Sequence, residues 1–154
     1  MKELVIREAV EGDARTIHAL LGELADFERL AQRMTVTEDT LRADIFEKGL
    51  ARAFLAEREG PYRREAVAFA TVCERYSTFA GKRILFLEDI FVREKERANG
   101  VGAGLFAFVA ETARAEGFAK MEWSVLSWNE GAKGFYRSRG GKPATDWEGW
   151  ELEL

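Results

Sequence analysis

The chain has one cysteine, one histidine and two prolines in 154 residues, and each scarcity removes a class of chemistry. Cys73 has no second cysteine with which to form an internal disulfide. Cys73 and His18 together fall short of the three or four ligands that a zinc site needs, so no metal is expected. No apolar run is long enough to span a bilayer. Residues 1–9 carry charges where a secretory leader needs an uninterrupted apolar stretch, so a cytoplasmic location and no membrane partner are expected. Basic charge is not in excess either. Lys and Arg number 23 against 27 Asp and Glu, a net charge of −4, which is the wrong sign for a nucleic-acid partner and mildly favours a cationic substrate. Repeats, low-complexity segments and long linkers are missing as well. One continuous domain over 1–154 is the expectation.

What is present is an ordinary globular composition, 47% hydrophobic and 32% charged, enough for a sizeable core. Leu4–Ala9 reads as a short strand. Gly12-Asp13 opens a helix whose Ile17, Leu20, Leu21 and Leu24 share one face, with His18 one position off that stripe and expected to face solvent. Thr37-Glu38-Asp39 is a helix start, with acids at the favourable end of the dipole, and Gly49 closes that helix. Ala51–Glu57 and Ala66–Arg75 read as strands joined through the Glu59-Gly60-Pro61 turn signal, and Cys73 within the second reads as a packed small hydrophobe. Ile84–Val92 is the strongest strand. The helix Leu105–Ala115 after it turns Leu105, Phe108, Val109 and Thr112 one way and ends at Gly117. A strand Met121–Leu126, a short helix Gly131–Ser138 and a closing strand Trp150–Leu154 complete an order β-α-α-β-β-β-α-β-α-β. That order predicts an α/β domain with a mixed sheet flanked by helices.

Between the strongest strand and the helix after it lies Arg97-Ala98-Asn99-Gly100-Val101-Gly102. A basic residue and two glycines at the start of a helix describe a backbone cradle for a pyrophosphate. Glycine has no Cβ to hold a phosphate off the main chain, and the helix offers unpaired N–H groups and the positive end of its dipole. A plain glycine-rich turn has the same look. The dinucleotide fingerprint would need glycine at 105, where Leu105 stands, and the mononucleotide loop would need a following Gly-Lys-Ser/Thr.

The Arg-x-x-Gly-x-Gly pattern between strand and helix resembles the acyl-coenzyme A loop of the GNAT acetyltransferase superfamily. A second stretch in the expected order, Asn129-Glu130-Gly131-Ala132-Lys133-Gly134-Phe135-Tyr136 followed by Arg137-Ser138-Arg139-Gly140, resembles that superfamily's Asn-x-x-Ala-x-x-aromatic-Tyr segment. Within it, Glu23–Glu28, Leu87-Glu88-Asp89-Ile90-Phe91-Val92, Trp128-Asn129-Glu130 and Glu148-Gly149-Trp150 resemble the spermidine/spermine and thialysine N-acetyltransferase branch. Phe27 stands where the polyamine enzymes carry tyrosine, and Gly131 and Gly134 occupy a helix that usually opens with better helix formers.

The resemblance implies acetyl-CoA as co-substrate and direct transfer to an amine. It implies that the cofactor is held by Arg97, Ala98, Asn99, Gly100, Val101, Gly102 and Ala103, by the backbone of Ile90, Phe91 and Val92, and by Asn129. Glu88 would hold the acceptor's ammonium and take its proton, directly or through water, with Phe27, Glu28 and Glu148 around the acceptor. Tyr136 would protonate the departing thiolate. Two adjacent acids in an apolar strand are costly, and alternation sends Glu88 and Asp89 to opposite faces. The acceptor is expected to be a small cationic amine: a diamine, a polyamine or a lysine-like amino acid. A protein or peptide amine, or a non-catalytic acyl-CoA-binding module, are the other readings. The resemblance also implies a homodimer.

Overall fold

The computed structural model describes residues 2–154, and the chain falls into two compact units, one running to Trp123 and one covering Ser124–Leu154. The first holds strands β1 (Leu4–Glu8), β2 (Arg52–Glu59), β3 (Arg64–Ser77), β4 (Lys82–Val92) and β5 (Lys120–Trp123), with helices α1 (Ala14–Phe27), α2 (Glu38–Arg42, running on as a wider turn through Glu47) and α3 (Val101–Ala115). The strands lie in sequence order, antiparallel from β1 to β4, and β5 pairs parallel to β4. A parallel neighbour needs a crossover, and α3 supplies it. The expected α/β class with a mixed sheet holds.

Each face of the sheet buries a separate core. On one side α3 turns in Val101, Leu105, Val109 and Ala113 against Phe54, Ala70, Val72, Leu85 and Leu87. This corrects the expected stripe. Phe108 stays 36% exposed and the Thr112 hydroxyl turns back to the Phe108 carbonyl, because a helix that starts at Val101 rather than Leu105 sets its inward face from Val101. Gly104 on α3 lies over β1, where an added Cβ would stand 3.3 Å from Ile6 Cδ1. On the other side Ile17, Leu20 and Leu24 of α1 pack with Ile45, Leu55, Phe69 and Phe91. Ile17 and Leu20 have no exposed surface, and burying each is worth about 1.5–3 kcal/mol.

Polar groups tie these layers. Arg7 on β1 donates to both oxygens of Asp13, at 2.7 and 3.0 Å, and to both of Glu57, at 2.8 and 3.1 Å, joining the start of α1 to β1 and β2. Arg7 and the Val10 amide hold the Asp13 carboxyl below its ordinary range. Thr37 caps α2 by accepting from the Thr40 amide. His18 is half-buried rather than solvent-facing: its Nε2 meets the Val36 carbonyl at 3.0 Å, so it braces α1 against the segment before α2. Cys73 is also only half-buried, on the outer part of β3, and does not join either core.

The second unit contains α4 (Glu130–Ser138). Asn129 caps it, its side chain accepting from the Ala132 amide at 3.1 Å. Past the helix, the left-handed Gly140 lets the Gly141 amide reach the Tyr136 carbonyl at 2.9 Å. The expected closing strand Trp150–Leu154 is not one in this structure. The segment has no strand pairing, and Trp150, Leu152 and Leu154 are exposed. Alternation sets which face each residue would take in a strand but does not by itself make the pairing. The strand expected over Met121–Leu126 is shorter, Lys120–Trp123.

Candidate active site

The register between β3 and β4 decides the geometry of the acidic pair. Thr71 lies opposite Asp89 and Val72 opposite Leu87, so Glu88 is an extra residue that opposes nothing. This β-bulge breaks the alternation. Before it, Leu85 and Leu87 face α3; after it, Ile90 and Val92 do, while Phe91 packs with Phe69 against α1. Strict alternation, on which the expectation of opposite faces for Glu88 and Asp89 rested, therefore fails at this point of the strand. Asp89, two residues before Phe91, sits on the α1 side and accepts from the buried Thr71 hydroxyl.

Electrostatics identify the neighbours. Burial pushes the Asp89 carboxyl up, against the opposing pull of Thr71. Partial desolvation and then the charge of Asp89 raise both Glu28 and Glu88. Desolvation and then Glu88 raise the Cys73 thiol. The charge of Asp89, on the α1 side, is thus felt by both Glu28 and Glu88, which makes the three an acidic group around the bulge. Glu28 follows directly after α1, and Arg93 just past β4 ties that helix to the sheet by donating to Glu23 at 2.7 Å and to the Ala66 carbonyl at 3.0 Å. Asp89 is not among the candidate site residues read from the sequence, because strict alternation assigns it to the other face. The signal was there, in the second of two adjacent acids within an apolar strand.

Beyond the bulge, β4 loses a neighbour. β5 pairs only with Ile84–Leu87, so among the described residues no strand pairs with Glu88–Val92 on that side. Phe91 lies opposite Phe69, and the Arg93 amide reaches the Val67 carbonyl on β3. Backbone groups alternate along a strand, which aims those of Ile90 and Val92 at the open side. The Phe91 side chain itself is buried.

The loop that follows contains two left-handed residues, Ala98 at φ 63° and Gly100 at φ 77°, the latter immediately before α3. An added Cβ on Gly100 would meet nothing within 4 Å, so open space lies over the start of the helix. Arg97, Ala98 and Asn99 are exposed, Gly102 and Ala103 half-buried, and Val101 buried, leaving its backbone as the available part. A left-handed turn, open space and the first-turn amides of a long helix suit an anionic phosphate group. Arg97 turns back across the end of β4. Its Nε donates to the Val92 carbonyl at 2.9 Å, and its Cζ lies 4.5 Å from the Phe27 ring centre and 5.5 Å from that of Phe91.

In the second unit Tyr136 is half-buried with its ring 5.5 Å from that of Phe135, and Glu148 is exposed. The first unit brings Phe27, Glu28 and Glu88 together with the cradle loop, whereas Asn129, Tyr136 and Glu148 belong to the other unit.

A profile of the acetyltransferase (GNAT) family matches residues 17–140, which takes in the bulged strand, the cradle loop and α4. The chain belongs to the GNAT acetyltransferase family. Members use acetyl-CoA as co-substrate, and this GNAT protein is an acetyl-transferring enzyme. It is 35% identical over 155 residues to the thialysine N-epsilon-acetyltransferase of Bos taurus, covering 97% of this chain and 91% of that protein. It is 31% identical over 151 residues to spermidine/spermine N(1)-acetyltransferase-like protein 1 of Homo sapiens, covering 96% of this chain and 22% of that longer protein. Among solved structures, an integron cassette protein from the mobile metagenome of V. cholerae superposes with a TM-score of 0.80 at 19% identity, covering 98% of this chain and 93% of that one, which speaks to the fold.

Proposed function

We propose that this GNAT enzyme acetylates the amine of a small cationic acceptor: a diamine, a polyamine or a lysine-like amino acid such as thialysine. The observation that carries the reading is the acidic group Glu28, Glu88 and Asp89 at the bulge, beside the unpaired edge of β4 and the cradle loop. The names of the relatives support the same acceptor class.

An alkylamine has a pKa of about 10.4, so only about one molecule in a few thousand is neutral at pH 7. Carboxylates hold its ammonium by charge-assisted hydrogen bonds, and Glu88, its affinity for protons raised by partial desolvation and Asp89, takes one proton from the attacking nitrogen. Glu28 and Asp89 then hold a second positive charge on the acceptor, with Glu148 a further acid. The thioester supplies an already activated acyl group. The Arg97–Ala103 loop takes the pyrophosphate, and the outward backbone of Ile90 and Val92 takes the pantetheine arm, a role that family position extends to Asn129. Tyr136 returns a proton to the departing sulfur. These roles in the second unit follow from family position. Because the family match crosses from one unit to the other, we treat 1–154 as one catalytic domain. A cytoplasmic homodimer is part of the reading, and a dimer mass by light scattering is expected.

The test compares a diamine with the monoamine of equal length. Pairing the distal charge with a partly buried carboxylate is worth roughly 1–3 kcal/mol, or about 5- to 150-fold in kcat/KM. Equal values for the two acceptors would remove the acidic site from the account.

A further inference from the structure

Arg97 is the one residue of the cradle loop whose side chain reaches the acceptor side. Its backbone sits between β4 and α3, where the pyrophosphate is to bind. Its guanidinium, however, donates to the Val92 carbonyl at 2.9 Å and lies over Phe27, the last residue of α1 and the neighbour of Glu28. Two surfaces that the reaction needs are therefore covered by one side chain. The Val92 carbonyl belongs to the unpaired edge offered to the pantetheine arm, and the Phe27 ring is the apolar surface beside the acidic group.

We propose that Arg97 is a positioning residue that links co-substrate loading to the acceptor surface. In the ligand-free protein it plugs the strand edge and shields Phe27; with a pyrophosphate in the loop it turns to the phosphates and uncovers both. The inference rests on the reading given under Proposed function. The bond from the Arg97 guanidinium to the neutral Val92 carbonyl carries one charge, whereas a phosphate adds the opposite charge and can take two parallel bonds from the guanidinium fork. A guanidinium over an exposed ring adds only a modest attraction, and Phe27 is 42% exposed. The balance therefore favours Val92 and Phe27 only while no anion is present. Phe27 has a consequence of its own here. Its all-carbon ring is a good resting surface for a planar cation and, once uncovered, for an acceptor's methylene chain.

The experiment titrates the wild-type protein and Arg97→Ala with coenzyme A and, separately, with pantetheine, which has the arm but no pyrophosphate. Calorimetry or NMR titration reads the affinities. Expected is a loss of about tenfold for coenzyme A together with a gain of about fivefold for pantetheine, the scale of one hydrogen bond lost or released. A residue that only binds phosphate would weaken coenzyme A and leave pantetheine unchanged, and one that only holds the loop together would weaken both. Either result overturns the proposal. Arg97→Lys keeps the charge but loses the planar fork, so it is expected to keep most coenzyme A affinity while gaining for pantetheine, and it serves if the alanine variant folds poorly. Failure of the wild-type protein to bind coenzyme A would instead overturn the cradle assignment itself.

Discussion

Asp89→Asn separates charge from shape at the acidic group. Asparagine keeps an oxygen that can accept from the Thr71 hydroxyl, so the bulge and its partner are retained while one negative charge is removed. Three effects follow. Asp89 is one of three carboxylates able to hold the acceptor's second charge, and losing a charge-assisted contact there costs roughly 1.5–3 kcal/mol. That is about 10- to 150-fold in kcat/KM for a diamine, with a much smaller loss for the equal-length monoamine. Next, the charge of Asp89 is one cause of the raised Glu88 carboxyl, so the acid limb of the kcat/KM profile moves to lower pH in the variant. Last, burial raises the folded-state pKa of Asp89 above its unfolded value. The native state then binds this proton more tightly, and the group's contribution to stability falls as pH rises from about 4 through the folded pKa. The charged form is a burden at neutral pH, and Asp89→Asn should melt no lower than wild type there. Steady-state kinetics on the two acceptors across pH, with thermal melts at neutral pH, read all three. Equal losses for diamine and monoamine, or an acid limb that does not move, would refute the placement of Asp89 beside Glu88.

Gly100→Ala should cost about 1–2 kcal/mol of stability, the strain of a left-handed alanine, since its Cβ meets nothing. A denaturant midpoint unchanged from wild type would contradict the left-handed turn. Tyr136→Phe should lower kcat by roughly 10²–10⁴-fold with little change in KM, and a rate within about twofold of wild type would return Tyr136 to a packing role. Asp13→Asn should cost about 1–2 kcal/mol at pH 7 by weakening the Arg7 bridge. Asp13 has a lowered folded pKa, so that stabilisation is present above about pH 4 and disappears as pH falls through the folded value. The stability gap between variant and wild type should close over that range.

The parts of the fold legible in the sequence were those written in local chemistry. Thr37 as a cap, the Ile17–Leu20–Leu24 face of α1, and a glycine where a left-handed residue precedes α3 each follow from one or two side chains and their backbone demands. The acidic group was legible in composition but not in geometry. Two acids in an apolar strand announced it, while the bulge that turns Asp89 onto the α1 side depends on how β3 pairs with β4, which no local pattern encodes. His18 shows the same limit, since its burial comes from a carbonyl eighteen residues away. Trp150–Leu154 has the alternation of a strand, but alternation alone does not decide whether a segment pairs. The gap between β5 and the end of β4 likewise arises from the pairing itself, since β5 reaches only as far as Leu87.

The measurement that bears most directly on the central claim is a competition assay. Purified protein is given acetyl-CoA and an equimolar mixture of a diamine, a polyamine, lysine, thialysine, a simple monoamine and a lysine-containing peptide, and the products are identified by mass spectrometry as free thiol is released. The account predicts acetylation of one or more of the small dibasic amines well ahead of the monoamine and the peptide. Acetylation of the peptide first, or no thiol release from a protein that binds coenzyme A, would contradict it.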